Sequence, residues 1–264
     1  MKDKEQLHQE DLQRIRAFRL MDDDFMNACF DENIEATELV LRIILKKPDL
    51  KVIRVSTQKV MKNLLGRDIW LDIDATDSDN TEIDIEIQRA DRGAGRKRAR
   101  YHSSILDAHL LQPSEEFSDL PETYVIFITE KDVIGSGLPI YTVERTILEL
   151  DQSFNDGGHI IYVNGTNRDA KTELGKLMHD FACREPDDMY YDILAKKARY
   201  FKKDEEGVAY MCKALEDMRN EARDEVREEN ALRMLADGLP IDKVAEYVGL
   251  PEERVRELAN SKSA

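Results

Sequence analysis

The chain lacks a long apolar stretch, and 36% of its 264 residues are charged. A membrane-spanning helix needs about 20 consecutive apolar residues, so the sequence predicts none. The first residues, Met1-Lys2-Asp3-Lys4-Glu5, are hydrophilic, and we therefore expect no secretory signal peptide. These absences predict a cytoplasmic protein with no membrane partner.

Cysteine and histidine are also scarce, with three and five residues respectively. Cys29, Cys183 and Cys212 are odd in number and lack the spacing of metal ligands, so buried reduced thiols are the simplest interpretation. The histidines form no zinc motif. His102 is expected to be packed or solvated rather than catalytic.

Positive charge is in deficit, because the formal net charge is −16, and acidic residues dominate two neighbouring segments. Residues 68–74 and 82–88 alternate strictly, with residues such as Ile73 and Ile85 on one parity and acids on the other. A period of two predicts paired strands, joined by the polar turn of residues 77–81. One face would join the core, and the acidic face would be exposed.

A turn centred on Asp79 places Asp72 opposite Glu86 and Asp74 opposite Asp84 on one face of this hairpin. Like charges across a ladder destabilise it, so the arrangement favours a bound cation. Carboxylate oxygens suit Mg²⁺ or Mn²⁺, which keep other positions for water and a substrate phosphate. Such a site suits phosphodiester hydrolysis. The alternative is a solvated acidic face, and the spacing alone does not decide between the two.

A basic segment follows the acidic hairpin directly. Its only acid is Asp91, Gly93 and Gly95 interrupt the strand, and a helical pattern begins at Arg96. Arg96, Arg100 and either Ser103 or Ser104 share a flank of that helix. The segment would place phosphate-binding groups beside a metal site, although a solvated helix face is the alternative. Its cations are Arg89, Arg92, Arg96, Lys97, Arg98 and Arg100.

These residues resemble a known family. Asp72, Glu86-Ile87-Gln88 and Arg98-Ala99-Arg100-Tyr101 are similar to the core of the PD-(D/E)XK nuclease family transposases, or recombination-promoting nucleases of the Rpn type. The resemblance begins near Phe25, in a segment similar to the family's opening helix, continues to about Gly165 and is weaker in the tail, so that it covers most of the chain. It implies an α/β, restriction-endonuclease-like core with a mixed central sheet flanked by helices, followed by an α-helical C-terminal region.

The resemblance implies a Mg²⁺-dependent DNA endonuclease, with Mn²⁺ expected to substitute. Asp72 and Glu86 would be the metal ligands, and Gln88 occupies the position of the lysine in the general superfamily pattern. A neutral glutamine can only orient water or substrate through hydrogen bonds. The metal would then supply most of the water activation and charge stabilisation.

Further assignments follow from the resemblance and the adjacent charges. Arg96, Arg98 and Arg100 would bind DNA phosphates, and Asp74 and Asp84 are second-choice metal ligands. Glu38 on the opening helix is a candidate accessory acid, and Glu35 is an equally good one. The family implies a role in recombination or transposon-like rearrangement in a bacterial cell. The alternative function is a catalytically inactive module of this fold that acts in DNA or protein binding and assembly.

The remaining patterns fit this plan. Pro48 ends an apolar helix of residues 33–46, and strands are predicted within residues 51–60, 124–128 and 159–163. We expect a nuclease-like domain at residues 20–165, a helical extension at 166–229 and a small helix-turn-helix-like tail at 230–264.

The helical C-terminal region carries no cofactor signature. An apolar stripe within residues 203–229 is expected to pack on the core or on a second subunit, which would make the protein a homo-oligomer. The tail reads as three short helices, with Pro251 at the first position of the last. The charged residues among positions 252–257 sum to −1, which favours packing or protein interaction over DNA contact.

Overall fold

A computed structural model describes residues 4–63, 66–89 and 93–261. Asp91 and Arg92 of the predicted basic segment lie outside the described residues. Contacts divide the chain into two compact units, residues 13–204 and residues 1–12 with 205–264. The predicted domain boundaries after residues 165 and 229 stay a prediction; one continuous helix covers Glu205–Ala236.

Helices account for much of the described chain. They are α1 (Lys4–Ala17), α2 (Asp23–Phe30), α3 (Ile34–Leu45), α4 (Arg96–Leu110), α5 (Glu173–Ala182), α6 (Asp192–Lys203), α7 (Glu205–Ala236), α8 (Ile241–Val248) and α9 (Glu252–Ser261). Short 3₁₀ turns lie at Phe117–Asp119 and Pro186–Asp188. The strands are β1 (Val52–Met61), β2 (Ile69–Asp77), β3 (Glu82–Gln88), β4 (Thr123–Thr129), β5 (Ile140–Val143), β6 (Thr146–Ile147), β7 (Gln152–Ser153) and β8 (Gly158–Asn164).

The central sheet has six strands in the order β1-β2-β3-β4-β8-β5. β1, β2 and β3 are antiparallel neighbours, β3, β4 and β8 run parallel, and β5 is antiparallel to β8. A parallel pair needs a crossover connection, and α4 supplies it between β3 and β4. This arrangement confirms the predicted mixed sheet flanked by helices. The sequence pattern did not predict β5 or the separate β6–β7 pair.

The predicted secondary structure of the core is confirmed by α3, β1, β2, β3, α4, β4 and β8. α3 begins at the cap Asn33, whose side chain accepts a hydrogen bond from the Ala36 amide, and ends at Lys46 in a left-handed conformation. β4 is buried along its whole length, as its continuous apolar run indicated.

Helix α4 packs on one face of the sheet. Its residues Ala99 and Leu106 join a core with Val125 and Phe127 of β4 and Tyr162 of β8. Strand β3 pairs Asp84 with Val125 and Glu86 with Phe127, so these acids point toward α4 while the alternate isoleucines point away.

The acidic face of the hairpin is therefore buried, and the prediction that it is exposed is wrong. Asp74, Asp84 and Glu86 each have 0% relative exposure. The physical reason is that other side chains cover these carboxylates: Arg98 and His102 of α4 contact Glu86 and Asp84, and Arg54 and Lys59 of β1 contact Asp74. Burial makes these groups far more costly to ionise than a solvated face would.

The second unit is helical in the part that the structure describes. The end of α7 packs with α8 and α9 around Ala231, Val244, Val255 and Leu258. The last two predicted short helices agree with α8 and α9, whereas the first, at residues 231–236, is the end of the long helix α7. Gly249, with a φ of +69°, ends α8 in a left-handed conformation that suits glycine. None of the described helices combines the length and apolar character needed to cross a bilayer.

Candidate metal and nucleic-acid site

The β2–β3 turn sets the register of the site. The Asp77 side chain accepts hydrogen bonds from the Asp79 and Thr81 amides, each at 2.9 Å, and closes the turn. The ladder then pairs Asp74 with Asp84, as the turn centred on Asp79 predicted. The turn thus fixes which residues of the paired part of the hairpin face one another.

The β2–β3 ladder opens where the first predicted metal ligand begins. Regular pairing ends at Ile73 and Ile85. Beyond it, the Ile87 amide donates to Asp72 Oδ2 at 2.8 Å, and the Asp72 amide lies 3.3 Å from Glu86 Oε1. Gln58 on β1 has a φ of +53°, so the neighbouring strand is distorted as well. Asp72 and Glu86 are therefore brought together, each held by the backbone of the opposite strand.

A buried histidine lies behind this pair. His102 Nδ1 is 3.0 Å from Asp84 Oδ2 and 3.8 Å from Glu86 Oε1. Its Nε2 accepts from Arg98 Nε at 3.2 Å, so in the neutral ring Nδ1 carries the proton and donates to Asp84. Burial lowers the pKa of His102 and favours that neutral form. Among the described residues, Asp84, Glu86 and His102 offer ligand atoms within 4.8 Å of one another.

Two further predicted residues contact Glu86. Arg98 Nη2 donates to Glu86 Oε2 at 2.7 Å, and Gln88 Nε2 lies 3.5 Å from the same oxygen. The side chain of Arg98 keeps 40% of its surface exposed. Arg98 thus contacts a buried carboxylate at one end of its guanidinium group and keeps part of its surface in solvent, where a phosphate can reach it.

The crowded carboxylates hold protons more tightly than usual. Burial, with the charge of Asp23 as a smaller cause, raises the pKa of Asp72 to about 6, although the hydrogen bond from Ile87 opposes this. Burial, then the charges of Asp84 and Asp72, raise the pKa of Glu86 to about 9. Burial and the charge of Asp72 also raise the pKa of Asp84 well above its usual range. The site carries more acid than its own cations neutralise.

The donor set fits a hard divalent cation. Asp84 Oδ1 is buried and, within the described ranges, has no hydrogen-bond partner. An unpaired buried carboxylate oxygen is costly, and a cation or its bound water would satisfy it. Carboxylate oxygens from Asp72, Asp84 and Glu86 are the ligands that Mg²⁺ and Mn²⁺ prefer.

The other predicted residues are placed differently. Arg100 lines a groove beside the site, whereas Arg96 lines a separate pocket with Lys131. Asp74 pairs with Arg54 at 2.5 Å and with Lys59 at 2.8 Å, so its charge is already compensated.

The candidate accessory acid Glu38 contacts α3 and β1. Its carboxylate accepts from the Val52 amide at 3.0 Å and pairs with Arg42 at 2.5 Å, while Glu35 is exposed. Asp23, in the first turn of α2, is a further acid near Asp72: burial is the main cause that raises the pKa of Asp72, and the charge of Asp23 is a smaller one. Sequence reasoning missed Asp23.

Sequence reasoning also assigned no role to His102. The spacing of four residues from Arg98 to His102 was the available signal, because residues four apart share a helix face. The contact of His102 with Asp84 could not be read from that spacing.

The fold and this site define a nuclease-like protein of the restriction-endonuclease type. A family model, PD-(D/E)XK nuclease family transposase, matches residues 25–239. The match covers most of the chain, and the protein belongs to this family. Neither a curated protein nor a solved structure matches it.

Proposed function

We propose that the protein is a metal-dependent DNA endonuclease that hydrolyses phosphodiester bonds. The observation that carries the proposal is the set formed by the buried Asp84 and Glu86 with the half-buried Asp72, in which Asp84 Oδ1 lacks a partner among the described residues. Such a concentration of negative charge is stabilised by a cation. Membership of a nuclease family supports the same chemistry.

Asp72 and Glu86 are the proposed metal ligands. The alternative trio of Asp84, Glu86 and His102 is compact, but both ring nitrogens of His102 are engaged by Asp84 and Arg98. Asp84 Oδ2 is already engaged by His102, whereas Asp72 is partly exposed and Glu86 contacts the half-exposed Arg98, so these two carboxylates lie nearer to a substrate. Asp84 and His102 then act as positioning residues behind Glu86.

The remaining roles follow from contacts and charge. A bound Mg²⁺ or Mn²⁺ supplies Lewis acidity and lowers the pKa of a bound water. The Gln88 amide orients a water or a phosphate oxygen, and Arg98 and Arg100 bind phosphates of the strand. Arg96, beside Lys131, contacts a more distant phosphate. We also propose residues 20–165 as the catalytic domain and the helical residues 166–264 as an assembly region through which the protein forms a homo-oligomer.

The test is cleavage of supercoiled plasmid at low salt with Mg²⁺ or Mn²⁺. Asp72→Asn and Glu86→Gln keep the side-chain shape but remove a ligand charge, so each is expected to lower the nicking rate at least about 100-fold. Asp79→Asn removes the same charge from the exposed turn and is expected to cleave like the wild type.

Calorimetry separates nuclease from binding module. The wild type is expected to bind Mn²⁺ and Asp72→Asn to bind it much more weakly. If wild type and variants are equally inactive on plasmid and on single-stranded substrates, and bind metal equally, the inactive-module alternative replaces the nuclease.

A further inference from the structure

A groove of about 920 Å³ opens beside the carboxylates. Its walls are the segment of residues 66–70 and the first turns of α4. Arg98 and His102, which contact Glu86 and Asp84, also line it, so the groove is continuous with the proposed catalytic site.

The charge of the groove suits a phosphate backbone. Arg67, Lys97 and Arg100 line it and are exposed, and none of them forms an ion pair with a described residue. Among the described residues, the single acid of the lining is Asp68, whose side chain accepts from the Asn63 backbone amide at 2.8 Å. Unpaired cations concentrated in one groove of a chain with net charge −16 indicate an anionic ligand.

The groove also presents the only tryptophan of the chain. Trp70 on β2 is 54% exposed, and the β2 residue Asp72 follows it by two positions, about 6–7 Å along an extended strand. Hydrogen bonds connect α4 to the segment that carries Arg67: Tyr101 Oη donates to the Arg67 carbonyl at 2.6 Å and accepts from Asn63 Nδ2 at 3.0 Å. An exposed indole in the same groove as unpaired cations is the combination that binds single-stranded nucleic acid, by base stacking and phosphate contact.

We propose that this groove binds a DNA strand with an unpaired base, which stacks on Trp70 while Arg67, Lys97 and Arg100 contact the phosphates. The inference deepens the proposed function and rests on it. In a regular duplex both faces of each base are already covered by neighbouring bases, so stacking on Trp70 requires unpairing. The substrate class is therefore single-stranded DNA or a duplex with a flap, a gap or a mismatch near the cleaved bond.

The full chain provides its own probe, because all tryptophan fluorescence comes from Trp70. The titration uses EDTA at low salt, so that no metal-dependent hydrolysis occurs, with a single-stranded oligonucleotide, an abasic strand of equal length and a blunt duplex. The base-containing strand is expected to quench the fluorescence and to bind more tightly than the abasic strand or the duplex.

Variants are compared by anisotropy of a labelled single strand. Trp70→Ala is expected to weaken binding roughly 5- to 150-fold, the range for loss of one stacked base. Trp70→Phe is expected to stay within a few-fold of the wild type because it keeps an aromatic face. Phe117→Ala, at another exposed aromatic with 89% exposure, is the matched control and should not change affinity.

Equal affinity of the wild type for the abasic and base-containing strands would overturn the proposal. Equal affinity of Trp70→Ala and the wild type would do the same. The strand comparison needs only the wild type, so it decides the question even if Trp70→Ala fails to fold. Binding is measured without hydrolysis, so the two proposals can fail separately. If the protein binds in a base-dependent way but does not cleave plasmid, the groove proposal stands and the nuclease proposal is rejected. If the protein cleaves plasmid but binds the abasic strand equally well, only the groove proposal is rejected.

Discussion

Each buried carboxylate of the site is costly to ionise, and the cost has a defined origin. Asp72 loses hydration on folding, and the charge of Asp23 acts on it as well. The amide of Ile87 recovers part of the cost through a hydrogen bond of 2.8 Å. The balance makes ionisation of Asp72 less favourable in the folded protein than in the unfolded chain. At neutral pH this proposed metal ligand therefore lowers the stability of the metal-free protein.

Asp72→Asn is expected to stabilise the protein in EDTA. The side-chain amide oxygen that replaces the carboxylate can still accept from Ile87, while the negative charge disappears. The folded-state pKa of Asp72 is about 6, against an ordinary value of 3.8, so the folded state binds the proton more tightly than the unfolded state. Wild-type stability therefore falls as pH rises from about 4 to 6, and above that window the variant should be more stable by about 1–3 kcal/mol.

Urea unfolding at a series of pH values measures this difference. The two proteins should converge below about pH 4, where Asp72 is protonated in both states. Asp79→Asn, in the exposed turn, should follow the wild type throughout. Added Mn²⁺ should close the gap at pH 7 because it binds the wild type better. A variant less stable than the wild type at every pH would show that the lost ionic contacts outweigh the burial and repulsion.

At the scale of elements, the sequence predicted the strands and the register that depend on residues close together in the chain. The alternation in residues 68–74 and 82–88 and the turn around Asp79 are local, and β2, β3 and their register agree with them. The burial of Asp84 was not predictable in this way, because it depends on α4 folding back after β3. Asp23 and His102 join the site from elements distant in the chain, and periodicity carries no information about that.

The short strands β5, β6 and β7 were missed for a related reason. They contain four, two and two residues, too few for an alternating pattern to be recognised. β5 forms because it pairs with β8, which begins at Gly158, well after β5 ends at Val143. Local sequence does not reveal such a pairing.

The start of α5 gives a prediction that helix propensity alone would reverse. The side chain of its cap Thr172 accepts from the Gly175 amide at 3.0 Å, and the loop before it folds against the helix. A Cβ at Gly175 would meet the Asp169 carbonyl oxygen, with 2.1 Å between them. Alanine normally stabilises a helix by about 1 kcal/mol relative to glycine. Here Gly175→Ala should lower the free energy of unfolding by about 1–3 kcal/mol or more, because the backbone must shift.

Denaturant unfolding of Gly175→Ala beside Gly95→Ala checks this. Gly95 is the N-cap residue of α4, and a Cβ there would meet nothing within 4 Å. Its substitution by alanine should therefore lower the free energy of unfolding by only about a few tenths of a kcal/mol. If Gly175→Ala proves as stable as the wild type, the loop at Asp169 moves more easily than its close contact indicates.

At the scale of the whole molecule, the family match does not stop at the sheet. It extends to residue 239, beyond the division of the chain at residues 204 and 205 and through the end of α7. The whole of helix α7 therefore belongs to the part of the chain that the family shares rather than to an appendage. The chain as a whole carries a net charge of −16, while Arg67, Lys97 and Arg100, which form no ion pair with a described residue, all line one groove beside the site.

This separation of charge predicts how salt affects binding. A phosphate contact releases counterions, so each one adds about 0.7 to the slope of log affinity against log salt for a single strand. Arg100→Gln should lower the slope by about that amount, whereas Arg223→Gln, exposed on α7, should leave it unchanged. Trp70→Ala should lower affinity at every salt concentration with an unchanged slope, because stacking releases no counterion.

Anisotropy titrations between 50 and 200 mM salt, roughly the range over which such contacts lose strength, distinguish these effects. If Arg100→Gln and Arg223→Gln reduce the slope equally, binding depends on overall charge, and the groove is not where the phosphates lie.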